Sequence, residues 1–304
     1  MSPRAKYRLI LGLLTPLAWL PFWFLYLISD LIYFILYRIA GYRKRVVREN
    51  LTASFPDRSP QQIDRIEREF YRHFADLIVE TVKLLHFTDR QVRRRIETCG
   101  YEELNRTSAD GRPLFIMLGH YGNWEWVPAV TLHCRKGIAC GQIYRQQHDP
   151  AMDWIMLRLR SRFGTFSIPQ AQAFRSILRR THAGEQLLMG FIADQRPNSE
   201  NLNHWTEFLH QDTAYAPGGE EIGRRIDAHY YYLDVEITRR GHYRMTFRPI
   251  VPDPDLIHEE YPHTLQFMRM LQSTIERQPA YWLWSHNRWS IKRPAADNAN
   301  KPTS

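Results

Sequence analysis

The chain has 304 residues, and 41 Lys and Arg against 32 Asp and Glu leave a formal charge of +9. With 44% hydrophobic and 24% charged residues it lies near the globular average, which excludes the disordered and fibrous classes. The negative mean hydropathy excludes a bundle of many membrane spans, and Cys99, Cys134 and Cys140 make neither a CxxC pair nor an even framework, as a zinc ribbon or disulfide scaffold requires.

From Leu9 to Ser29 there is no charged side chain, and after Asp30 the apolar run continues from Leu31 to Tyr37. A spanning helix needs about 20 apolar residues, so a membrane segment is expected here, kinked or divided at Pro16 and Pro21. Trp19, Trp23, Tyr26, Tyr33 and Tyr37 suit a headgroup belt. A signal peptide is the rival reading, but the stretch is too long and lacks a small-residue cleavage site. Arg38, Arg43, Lys44, Arg45 and Arg48 outweigh Arg4, Lys6 and Arg8, which puts the body of the protein on the cytoplasmic side. A merely solvated helix face is the alternative for this charge run. The expected organisation is an anchor over 1–40, one domain over 41–293 and a flexible Pro/Ala/Asn-rich tail over 294–304. Deleting the anchor is expected to weaken membrane attachment and leave the site intact.

Ile63, Ile66, Phe70, Phe74, Leu77, Ile78, Val82 and Leu85 recur at helical spacing over 60–86, with Ser59 as cap and Pro60 at the first position. Short apolar runs at Leu114–Leu118, Leu187–Ile192, Leu233–Thr238 and, after the Arg240-Gly241 turn, Tyr243–Phe247 read as strands. Helical patterns lie between them, which predicts an α/β fold with a mixed sheet flanked by helices.

The most informative segment is His120-Tyr-Gly-Asn-Trp-Glu125, where an apolar strand runs into glycines. In a continuous helix His120 and Glu125 would lie about 140° apart, so they meet only across a turn, which Gly119 and Gly122 supply. Glu125 is then expected to hold one imidazole nitrogen and free the other as a general base. Buried His–Glu pairs also occur simply because each satisfies the other, and both readings stand at this point. Zinc is not indicated, because the second His of a His-Glu-x-x-His site is missing. His133, His148, His182, His204, His210, His229, His242 and His263 have no ligand-like spacing and read as surface or packing residues.

This segment resembles the His-x4-Glu motif of the lysophospholipid acyltransferase superfamily, and more closely its form in bacterial lipid A biosynthesis acyltransferases. Ile143-Tyr144-Arg145 with Asp149-Pro150 and Arg158/Arg160, Ala193-Asp194-Gln195, and Tyr281-Trp282-Leu-Trp284-Ser-His286-Asn-Arg288-Trp289 resemble the family's later blocks in order. Two departures are Glu207–Asp212, where a Phe-Phe-Gly element is common, and Ile168-Pro169-Gln170, where a basic residue is frequent. They bear on acceptor and chain specificity.

The resemblance implies a glycerolipid-acyltransferase-like fold with an amino-terminal membrane anchor helix, and acyl transfer from a thioester to a hydroxyl of a membrane glycolipid, a lipid A precursor. The thioester is on acyl carrier protein or coenzyme A as co-substrate, with no metal or resident cofactor, and the site is on the cytoplasmic face of the bacterial inner membrane. His120 and Glu125 are the expected catalytic pair. Asn123, Arg145, Arg158, Arg160, Asp194 and Gln195 are expected to contact substrate, and the amides of Gly122–Trp124 to face the oxyanion. Asp194 before a turn is equally a capping residue, and Trp282, Trp284, His286 and Trp289 read as packing, with substrate contact as the alternative for His286 and Arg288. Other acceptors, an amino-lipid or a phospholipid, remain open. A hydrolase would need a serine elbow that the sequence lacks, and a non-enzymatic basic protein binding nucleic acid lacks any such motif, so lipid bilayer, glycolipid and carrier protein are the expected partners.

Overall fold

A computed structural model describes residues 1–197 and 202–293, so the expected tail over 294–304 lies outside the described residues. Seven strands form one mixed sheet in the order β1 (Ile96–Cys99), β9 (His242–Pro249), β8 (His229–Arg239), β2 (Leu114–Leu118), β5 (Leu187–Ile192), β3 (Ala139–Tyr144) and β4 (Phe166–Pro169). Within this sheet, among the described residues, β8 and β9 pair antiparallel around Arg240-Gly241 and the other pairings are parallel. β6 (Trp205–Phe208) and β7 (Gln211–Ala214) form a separate hairpin, and its two turn residues Leu209 and His210 both have positive φ. Every residue of β2 is buried, as a central parallel strand covered on both faces requires. The α/β fold with a mixed sheet flanked by helices is therefore the observed one, and two of the four expected strands have the expected bounds.

Two helices at the amino terminus, α1 (Pro3–Trp19) and α2 (Phe22–Phe34, prolonged by a π-turn to Ile39), meet at Leu20-Pro21. Pro21 breaks the apolar run, whereas Pro16 is carried inside α1. Among the described residues, Phe22–Ile39 is one helical stretch long and apolar enough to cross a membrane. Leu9, Leu13, Leu17, Trp19, Trp23, Leu27, Leu31, Phe34 and Ile39 are exposed on the pair. The inner face is polar in places and fastened to the body. After α3 (Lys44–Ser54), the long helix α4 (Pro60–Lys83) starts at a Ser59/Gln62 capping box and buries a continuous stripe. Its Asp76 accepts from Ser29 at 2.6 Å and from Arg240, and its buried Lys83 donates to the carbonyls of Ala18 and Leu20 at 2.8 and 2.9 Å. Those carbonyls lie at the interruption before Pro21, where a helix end leaves acceptors unpaired.

Candidate active site

His120 follows the end of β2 and Asp194 the end of β5, adjacent parallel strands whose last residues Leu118 and Ile192 are in register. The carboxyl end of parallel strands is where α/β sheets build their sites. Asp194, 2% exposed, accepts from His120 Nδ1 at 2.7 Å, from the His120 main-chain N–H at 2.8 Å and from Trp282 Nε1 at 2.7 Å. Burial pushes the Asp194 carboxyl up, but the charge and hydrogen bonds of His120 and the Trp282 bond outweigh it and hold the group below the ordinary carboxylate range. The Gln195 side-chain amide stands 3.2 Å from His120 Nε2. A Cβ at Gly119 would lie 2.7 Å from a Leu271 methyl on the Pro262–Arg277 helix, so a side chain here would make Leu271 shift. Gly122, at φ +59°, makes the turn the motif needs, where a Cβ would meet Val235.

The partner of the imidazole is thus Asp194 and not Glu125, contrary to the sequence-based expectation. Glu125 is turned the other way and accepts both bonds of a bidentate pair from Arg160, at 2.9 and 2.7 Å, with the two side chains 8% and 18% exposed. The Gly119–Gly122 turn points the His ring back toward the neighbouring strand, while Glu125 sits in a 3-10 helix, Trp124–His133, facing the Pro150–Arg160 helix. Asn123, expected to meet substrate, is fully buried: its Oδ1 caps Trp126 N–H at 3.1 Å and its Nδ2 donates to Glu80 at 2.7 Å. Of the expected oxyanion amides, that of Gly122 is spent on the Tyr281 carbonyl at 2.9 Å. Arg145 and Arg158 are exposed, and Arg160 is occupied by Glu125.

The carboxy-terminal Trp-rich block closes the site from behind. Leu283 N–H donates to the His120 carbonyl at 3.0 Å, Tyr121 bridges to Trp282, and Trp284 is wholly buried. His286 Nε2 faces the Arg196 N–H at 3.4 Å, and burial pushes its imidazole down to about 4. Arg288 is 2% exposed, donates to the Ala214 carbonyl at 2.6 Å, and burial brings its guanidinium down to about 10. Trp282, expected as packing, is also a hydrogen-bond donor in the site. Glu80, on α4, was not singled out by the sequence, because a lone Glu within an amphipathic helix reads as solvent-facing.

The bacterial lipid A biosynthesis acyltransferase family model matches residues 3–291. The chain belongs to that family. It is 23% identical over 258 residues to the lipid A biosynthesis palmitoleoyltransferase of Escherichia coli K12, covering 84% of this chain and 81% of that protein. The lipid A biosynthesis lauroyltransferase of the same organism is 25% identical over 158 residues, or 48% of this chain and 51% of that one. A lipid A biosynthesis acyltransferase of Haemophilus influenzae is 20% identical over 176 residues, 58% and 54% of the two chains. The protein is an acyltransferase enzyme. The family match contains the whole His120–Asp194–Trp282 arrangement, which joins three of the motif blocks.

Proposed function

We propose that this acyltransferase moves a fatty acyl chain from an acyl-carrier-protein thioester to a hydroxyl of a lipid A precursor at the cytoplasmic face of the inner membrane. The observation that carries the reading is the His120 Nδ1–Asp194 bond at 2.7 Å at the carboxyl ends of two adjacent strands. With Nδ1–H donated to Asp194, Nε2 carries the lone pair and is bordered by the Gln195 amide at 3.2 Å, and the His120 side chain is 17% exposed. The acceptor hydroxyl takes the place that the Gln195 amide borders, and His120 Nε2 removes its proton as the oxygen attacks the thioester carbonyl. The tetrahedral intermediate collapses, the C–S bond breaks, and the imidazolium returns its proton to the departing thiolate. General base catalysis of this kind contributes about 10²–10⁴-fold. Asp194 positions the ring through the Nδ1 and main-chain bonds, and Glu125 fixes Arg160 beside the catalytic loop. The exposed apolar face of α1 and α2, flanked by basic residues, supports contact with an anionic leaflet.

The test is transfer of labelled acyl chain from purified acyl carrier protein to a lipid A precursor in mixed micelles, with His120→Ala as the control. Loss of transfer in the variant with unchanged folding is the expected result; activity within tenfold of wild type overturns the role of His120.

A further inference from the structure

Glu80 lies in α4 with no exposure, in a region where a hydrophobic residue would ordinarily pack. Its carboxylate accepts from Tyr26 Oη at 2.8 Å, Tyr243 Oη at 2.7 Å and Asn123 Nδ2 at 2.7 Å. These donors come from α2, β9 and the catalytic loop. Its main-chain carbonyl accepts Trp126 Nε1 at 2.9 Å, and two turns earlier on α4 the buried His73 donates from Nε2 to the Gly122 carbonyl at 3.0 Å. The helix therefore grips residues 122, 123 and 126 at once, just beyond His120. Once ionised, the Glu80 carboxylate only accepts, which suits three converging donors, whereas an amide in its place also donates.

We propose that Tyr26, Glu80 and Asn123 form a positioning relay, through which docking of the amino-terminal helix pair orders the loop that carries His120. The proposal rests on His120 being the base, and makes the helix pair a condition for turnover and not only an attachment device. It differs from the expectation that residues 1–40 can be removed with the site left intact, because α2 supplies one of the three donors to Glu80. Burying an acid with three partners adds little net stability over an apolar side chain, so stability alone does not account for it.

The experiment uses the full chain in lipid nanodiscs with Glu80→Gln, Tyr26→Phe and Ser29→Ala. Ser29 holds the same helix through Asp76 without touching Glu80. Amide hydrogen exchange over residues 121–126 is expected to rise roughly tenfold in Glu80→Gln and Tyr26→Phe. In both, kcat falls on the order of 10–100-fold while KM for the thioester stays within about twofold, as misplacement of a reacting group predicts. Ser29→Ala leaves loop exchange and kcat at wild-type values. Unchanged exchange in Tyr26→Phe, which removes a single hydroxyl and keeps the test alive if Glu80→Gln does not fold, overturns the relay. So does an equal loss of kcat in Ser29→Ala. Wild-type protein that transfers nothing from any thioester overturns the functional reading by itself, and the exchange data still decide the relay.

Discussion

The exchange of partners at His120 replaces the carboxylate expected from the sequence, Glu125, by Asp194, which the sequence offers only as a substrate contact or a cap. Asp194→Asn keeps the shape but removes the negative charge, so the imidazole loses its fixed tautomer, and kcat is expected to fall by about 10²–10⁴-fold with little change in KM. Glu125→Gln leaves the His120–Asp194 pair in place and is expected to cost less, acting through a loosened Arg160; initial rates of the two variants from pH 5 to 9 decide between them. The motif showed that a base and an acid are needed, but five residues across a turn do not specify which way each side chain points, and Asp194 is distant in sequence. Glu80 gives a second test. Burial, outweighing bonds from Tyr243, Tyr26 and Asn123, pushes its carboxyl up to about 7 from 4.5. Between those values the unfolded chain has lost the proton while the native state keeps it, so stability falls as pH rises through this window. Denaturant titrations from pH 4 to 8 should show a wild-type slope, on the order of a few kcal/mol in total, that Glu80→Gln lacks.

At the scale of elements, the amino-terminal helices are joined to the body by buried polar bonds as well as by apolar packing. Lys83 is the clearest case: its ammonium satisfies two carbonyls at the α1–α2 break and packs near the Phe22 ring at 5.3 Å. Lys83→Met preserves bulk but leaves both acceptors without their donor, and is expected to destabilise the protein by about 1–3 kcal/mol, read as a lower denaturation midpoint in detergent. A midpoint equal to wild type would show that water reaches the break. The long helix α4 and strands β2 and β5 were legible because their apolar periodicity is strong. β1, β3, β4 and the β6–β7 hairpin were not, since short strands such as Ala139–Tyr144 alternate small, polar and apolar residues and owe their conformation to neighbours remote in sequence. Likewise β8 begins at His229, before the expected Leu233, because Tyr231 and Tyr232 near its start are buried while carrying hydroxyls.

Over the whole molecule the cations behind the charge of +9 divide between those held within the fold and those exposed on its surface. Among the arginines, Arg160 is paired with Glu125, Arg180 with Glu185, and Arg95 lies 3.4 Å over the Phe22 ring while donating to the Gly241 carbonyl. Arg43, Arg45, Arg93, Arg94, Arg145, Arg158, Arg162 and Arg179 remain exposed. Fixed arginines hold the fold at any ionic strength, whereas exposed ones act over about 10 Å in 0.1 M salt. An acidic carrier protein steered by the exposed set should therefore associate more slowly as salt rises, and acyl-coenzyme A, smaller and membrane-partitioned, should respond less. Initial rates with matched acyl-carrier-protein and acyl-coenzyme A donors, taken from 20 to 500 mM salt, are expected to converge from a carrier advantage at the low end. Arg158→Glu should raise KM for the carrier donor and leave kcat unchanged, because Arg158 lies on the exposed side of the helix whose Arg160 is already committed to Glu125. A preference for coenzyme A at low salt, or equal salt slopes for the two donors, would overturn the carrier assignment while leaving the His120–Asp194 chemistry untouched.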